Sequence, residues 1–138
     1  MKLLIIDDEV KASTYLINSL KEFYGCDVEF YKSIKRVLSF TVEELHRFDG
    51  ILLDIMMPID DSINEQEKGK LDKGLSTGIF LLEKIREKVA TPIVLFTARS
   101  NVGYITNKYK NVGYITKPAT TEEIFETLTL IINNQIIS

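Results

Sequence analysis

Acidic residues in this chain stand directly after short apolar runs, and their types suit chemistry on a phosphoryl group. Asp7, Asp8 and Glu9 follow Leu3–Ile6, and Asp54 ends the run Ile51–Leu53. Thr97 follows Ile93–Phe96, and Lys117 comes just after Val112–Ile115. Two carboxylates about 4 Å apart repel by about 4 kcal/mol at an effective dielectric of 20, and a third adds to that. Lys117 alone does not neutralise three acids. A hard divalent cation does, and Mg²⁺ typically takes one or two carboxylates together with waters and phosphate oxygens. With that cation beside it, Asp54 can attack a phosphorus atom in line. Thr97 would then hydrogen-bond an equatorial oxygen, and Lys117 would offset the charge on the others. Acid–base hydrolysis of an organic substrate finds no support. The one histidine, His46, falls in the second helical stretch, and the chain has neither a nucleophile elbow nor a glycine-rich phosphate loop.

These residues act together only if the fold brings them together, and the apolar pattern says how. Leu3–Ile6, Val28–Tyr31, Ile51–Leu53, Ile93–Phe96 and Val112–Ile115 read as short strands. Between them apolar residues recur at helical spacing. Val10, Leu16, Leu20 and Phe23 do so before Gly25. Ile34, Val37, Leu38, Val42 and Leu45 follow a Ser33 cap, with a second capping box at Thr41 and Glu44 that can break the helix. Ile79, Leu82 and Ile85 mark a third helix. Ile124, Phe125, Leu128, Ile131 and Ile132 mark the last, capped by Thr120. Strands alternating with helices predict an α/β domain, a doubly wound, flavodoxin-like parallel sheet of five strands in the order 2-1-3-4-5. In that order strands one and three are neighbours, so Asp7, Asp8 and Asp54 should converge where such folds place their sites, beyond the carboxyl ends of the strands.

Composition narrows the possibilities. The 138 residues suit one domain, and a net charge of −3 argues against a chain that grips a phosphate backbone directly. A single cysteine, Cys26, excludes an internal disulfide framework and a cysteine zinc cluster. Four apolar residues at the start are too few for a signal-peptide core, and no stretch nears the about 18 that span a bilayer. A cytoplasmic location without membrane or direct nucleic-acid contact is the expectation.

The segments Leu4–Glu9, Ile51–Pro58, Val94–Ala98 and Gly113–Pro118 also resemble the receiver domain of two-component response regulators, in order and over nearly the whole chain. The resemblance implies that Asp54 is the phosphoacceptor, and that Asp7, Asp8, Asp54 and the backbone carbonyl of Met56 hold Mg²⁺. It implies that Thr97 and Lys117 contact the phosphoryl group, and that Tyr114 is the aromatic that changes rotamer when Thr97 moves. Ala98 matches the family's small residue beside the site, and Lys117–Pro118 its cis peptide. A sensor histidine kinase or phosphotransfer protein would be the donor. The chain would not be an enzyme beyond its own phosphorylation and dephosphorylation. Output would pass to a downstream protein through the face of the fourth helix, fifth strand and last helix. A homodimer through that face is a further option, suggested by Leu130, Ile136 and Ile137.

Three departures stand out against the family pattern. Thr77-Gly78 takes the place of an Asp-Gly that usually lies much nearer the proline, so residues 59–75 read as a loop insertion within a single domain, 1–138. This insertion is either a solvated loop or a lid over the site. Asn101-Val102-Gly103-Tyr104-Ile105-Thr106 recurs unchanged at Asn111–Thr116. The second copy should be the fifth strand and the first a short, marginal helix, since Gly, Val, Ile and Thr form helices poorly. Arg99 sits at a variable position near the site. Two other readings stay open: a pseudo-receiver serving as a constitutive interaction module, and a small Mg²⁺-dependent aspartyl-phosphate hydrolase. Against the latter, Met56 stands where a second aspartate is usual.

Overall fold

The computed structural model describes residues 1–57, 76–98 and 102–137. The expected insertion 59–75 and Arg99 lie outside them, as do the side chains of Ile136 and Ile137. Five strands alternate with helices: β1 (Lys2–Ile6), α1 (Val10–Tyr24), β2 (Asp27–Tyr31), α2 (Lys35–Leu38), α3 (Val42–His46), β3 (Gly50–Asp54), α4 (Ser76–Arg86), β4 (Ile93–Thr97), α5 (Gly103–Thr106), β5 (Val112–Thr116) and α6 (Thr121–Ile137). The strands form one parallel sheet in the order β2-β1-β3-β4-β5, which is the order expected.

The three inner strands are apolar because both faces of the sheet are covered. On one face Leu4, Ile6, Ile51, Leu53 and Leu95 pack against Val37, Leu45, Leu81, Ile85 and Ile105. On the other, Leu3, Ile5, Leu52 and Val94 meet Leu16, Leu20, Ile124 and Leu128. Cys26 is buried on this second side, and His46 is exposed at the end of α3.

Helix ends follow local chemistry. Gly25 takes a left-handed φ of 65°, which lets the Gly25 and Cys26 N–H groups donate back to the Lys21 and Leu20 carbonyls, each at 3.2 Å. At Thr41 the expected break occurs. The Thr41 hydroxyl accepts from the Glu44 N–H and a Glu44 carboxylate oxygen accepts from the Thr41 N–H, both at 3.1 Å. The Thr120 hydroxyl accepts from the Glu123 N–H, as a cap of α6 should.

Three local expectations need correction. No Ser33 cap forms; α2 is preceded by Ile34 in helical backbone without a side-chain cap. Val42 is exposed, because the core side of this region is filled by Ile34, Val37, Phe40 and Leu45. In α1, Val10 and Phe23 are exposed, while Ser13, Leu16, Ser19 and Leu20 face inward. The inward place in the last turn goes to Tyr24, whose ring stacks on Phe125 at 4.1 Å.

The repeated hexapeptide takes two conformations, as expected. In its first copy, Val102 and Ile105 bury their side chains in the core, Tyr109 packs beside them, and only the single turn Gly103–Thr106 is helical. The second copy is the edge strand β5. Among the described residues no helix is long and apolar enough to cross a membrane.

Two helical glycines set up a test of these packing statements. A Cβ on Gly78 would stand 2.2 Å from the Ile55 Cα and 2.8 Å from the Asp54 carbonyl oxygen, both backbone atoms that cannot yield. A Cβ on Gly103 would meet nothing within 4 Å. Alanine gains about 1 kcal/mol over glycine in a helix, whereas overpacking costs about 1–3 kcal/mol or more. Gly103→Ala is therefore expected to stabilise by up to about 1 kcal/mol, and Gly78→Ala to destabilise by about 2 kcal/mol. Urea unfolding of both variants checks the opposite signs.

Candidate functional site

The strand register brings the acids together. Ile6 is paired with Tyr31 on one side and Leu53 on the other, so the chain leaves β1 and β3 at the same level. Asp7 and Asp54 are then 5% and 4% exposed, and Asp8 lies in the open beside them. One carboxylate oxygen from each of Asp7, Asp8 and Asp54 lies within 4.8 Å of the other two. Backbone donors hold two of these groups. The Glu9 N–H donates to Asp7 Oδ1 and the Met56 N–H donates to Asp54 Oδ1, each at 2.9 Å.

Lys117 reaches the cluster from the far side of the sheet. Its backbone N–H donates to the Thr97 carbonyl at 2.7 Å, which extends the β4–β5 ladder past β5. Its ammonium donates to Asp7 Oδ2 at 3.2 Å and lies 3.7 Å from Asp54 Oδ2 and 3.7 Å from Glu9 Oε1. The Lys117–Pro118 peptide is cis. Thr97 ends β4 with no exposed surface. Behind Asp54, the close approach that Gly78 permits brings the first turn of α4 against Ile55, whose carbonyl accepts from the Gly78 N–H.

Burial dominates the electrostatics of Asp54. It pushes the carboxyl up to about 7, with the Asp7 charge and an Asp8 hydrogen bond adding, and the Met56 N–H and Lys117 opposing. For Lys117, burial works against the ammonium, yet Asp54, Asp7 and Glu9 outweigh it and hold its pKa above the ordinary lysine value. The donor set of three clustered carboxylates, one of them open to solvent, fits a hard oxygen-seeking dication.

Every site residue expected from sequence stands at the carboxyl edge of the sheet or just beyond it, except Tyr114. That residue lies within β5, opposite Leu95, with 42% of its surface exposed. Sequence reading gave no role to Phe96 and none to Glu9 as a partner of Lys117. Strand alternation was the available signal for Phe96, since it puts that ring on the face from which Lys117 arrives.

Five parallel strands in this order with flanking helices match the CheY-like flavodoxin fold. Comparison with known proteins points the same way. Response regulator ArlR of Staphylococcus aureus (strain USA300) is 29% identical over 139 aligned residues, covering 97% of this chain and 53% of the relative. The chain spans about half the length of the curated relatives it matches. Among solved structures, the receiver domain of the Francisella response regulator 1452 superposes with a TM-score of 0.70 at 23% identity, covering 97% of this chain and 98% of that one. The chemotaxis protein CheY4 of Vibrio cholerae gives 0.70 at 21% identity, covering 94% and 97%. The BeF3-activated N-terminal receiver domain of Klebsiella pneumoniae RstA gives 0.69 at 22%, covering 96% and 98%. No family model matches the chain. Its homologues are thus named response regulators, and the structures it resembles are receiver domains.

The raised Asp54 carboxyl has a consequence for stability. Unfolded, an aspartate titrates near 3.9. In the fold the value is about 7, so folding favours the protonated acid. The stability this contributes is full below about pH 4 and lost as pH rises through about 7. Asp54→Asn is expected to raise the metal-free melting temperature at pH 8 and to raise it less at pH 5. Thermal unfolding in chelator at both values tests this, and an equal gain at the two would contradict the assignment.

Proposed function

We propose that residues 1–138 form one receiver unit of a two-component phosphorelay, with 59–75 an insertion by sequence spacing. Asp54 accepts the phosphoryl group from a phosphohistidine on a sensor histidine kinase or a phosphotransfer protein. The observation that carries this reading is the meeting of Asp7, Asp8 and Asp54 under the Lys117 ammonium, at the carboxyl edge of a receiver-type sheet.

In the transfer an oxygen of the Asp54 carboxylate forms a bond to phosphorus while the bond from phosphorus to the donor's imidazole nitrogen breaks. The imidazole leaves with the bonding pair and takes a proton. Lys117, already oriented by Asp7, offsets charge on the phosphoryl oxygens, and the Thr97 hydroxyl would hydrogen-bond one of them. Mg²⁺ would be held by Asp7, Asp8, Asp54 and the Met56 carbonyl. When bound, it supplies the positive charge that one ammonium among four carboxylates does not. Hydrolysis of the acyl phosphate by water returns the domain to its starting state, so its chemistry is confined to its own side chain.

Output follows through the face of α5, β5 and α6. Among the described side chains these elements carry the large exposed apolar or aromatic groups Tyr104 at 53%, Tyr114 at 42% and Leu130 at 62%. That supports a protein contact, either a downstream partner or a second copy of this chain. Rearrangement of Thr97 on phosphorylation would be read by Tyr114, on the neighbouring strand.

Intact mass after incubation with Mg²⁺ and a small phosphodonor tests the reading. One added phosphoryl group is expected on the native protein and none on Asp54→Asn. Asp8→Asn is expected to slow the reaction at least tenfold at limiting Mg²⁺ while leaving the fold intact, as removal of a metal carboxylate should. A native protein that never takes the adduct would instead be a constitutive interaction module. Hydrogen exchange over residues 102–110 is expected to change on phosphorylation, and unchanged protection there would sink the output proposal.

A further inference from the structure

Lys117 is the cation at the centre of the site, so whatever orients its ammonium bears on the chemistry. Its carboxylate contacts are unequal. The side chains of Asp7 and Asp54 are 7% and 4% exposed, whereas that of Glu9 is 60% exposed and lies toward solvent. An ammonium on four methylenes has little directional preference among acids. By itself it would be drawn in part to the open one.

A fourth contact is aromatic. Lys117 Nζ lies 4.9 Å from the centroid of the Phe96 ring. Phe96 stands opposite Asp54 across β3 and β4, and opposite Ile115 across β4 and β5. Alternation along the chain puts Lys117 on the Ile115 face, so ring and ammonium are diagonal neighbours across the ladder. The ring is half-buried against the second core, and with Lys117 it lines a cavity of about 600 Å³ between α1 and the start of α6. A ring face attracts a cation more strongly as water is excluded, and the Lys117 side chain is only 16% exposed.

We propose that Phe96 is a positioning residue for the phosphoryl-accepting reaction. Its ring forms a floor that keeps the Lys117 ammonium, 3.2 Å from Asp7 and 3.7 Å from both Asp54 and Glu9, from swinging further out toward Glu9. This rests on the function proposed above, and the experiment separates the two.

Phe96→Leu keeps an apolar side chain and removes the ring face, whereas Phe96→Tyr keeps the face. Three quantities are read: the NMR shift of the Lys117 ε-methylene, the rate of phosphorylation at saturating Mg²⁺, and Mg²⁺ affinity. In the native protein the ε-methylene is expected upfield of other lysines through the ring current. Phe96→Leu should lose that shift and react about fivefold more slowly, equivalent to about 1 kcal/mol at 1.36 kcal/mol per tenfold, with Mg²⁺ affinity unchanged. Phe96→Tyr should restore shift and rate, and Glu9→Gln added to Phe96→Leu should recover part of the rate. Native rates in Phe96→Leu, equal losses in the Leu and Tyr variants, or a parallel loss of Mg²⁺ affinity would each overturn the positioning role. So would an ordinary lysine shift in the native protein. A native protein that takes no phosphoryl group while showing the upfield shift would overturn the reaction and leave the positioning of Lys117 standing.

Discussion

The arrangement depends on one ammonium held between the buried carboxylates of Asp7 and Asp54 and the open ones of Asp8 and Glu9. Lys117 touches Asp7 and approaches Asp54 and Glu9, with Asp8 alongside. Buried ions are costly unless paired, and here four acids share one cation. Burial chiefly drives the Asp54 carboxyl up to about 7, and the neighbouring Asp7 charge adds to it. A site in this condition is complementary to a group that brings positive charge with it.

The rest of the fold keeps that corner in place. Apolar layers on both faces fix the inner strands in register, so Asp7 and Asp54 emerge level with each other. The first turn of α4 comes close enough to β3 to bond the Ile55 carbonyl only because residue 78 has no side chain. At the other end of α4, Arg86 donates to the Lys110 and Asn111 carbonyls and Lys88 to those of Leu38 and Phe40. These bonds tie one helix to the start of β5 and to the end of α2. The acid cluster at the carboxyl edge and the cohesive bonds at the amino edge are thus divided between the two ends of the same layer.

The duplicated hexapeptide isolates the effect of context. The same Gly-Tyr-Ile-Thr forms a helical turn at 103–106 and part of a strand at 113–116, so local preference does not decide between them. Position in the chain does. The first copy follows β4 too closely to form the next parallel strand, which needs a crossover of about a dozen residues. It closes instead over the core with Val102 and Ile105, and the second copy takes the sheet edge. A helix formed under such constraint owes its existence to two buried side chains.

Much of this is legible in the amino-acid sequence. An apolar run stopped by an acid is a local feature, and five such strands separated by helical spacing fix the sheet order and bring Asp7, Asp8, Asp54, Thr97 and Lys117 to one edge. The cap at Thr41, the turn at Gly25 and the two fates of the repeat were legible for the same reason, since each rests on neighbouring residues or on chain length. Other features were not. Val10 and Phe23 have the helical spacing of core residues but face water, while Ser13 and Ser19 face inward. The need for glycine at 78 comes from the backbone at 54 and 55, and the floor beneath Lys117 is a ring contributed by another strand. Amino-acid order specifies which groups a strand end carries. The distances between groups on different strands, and hence which acid is buried and which ring meets which cation, arise only when long-range packing closes the sheet.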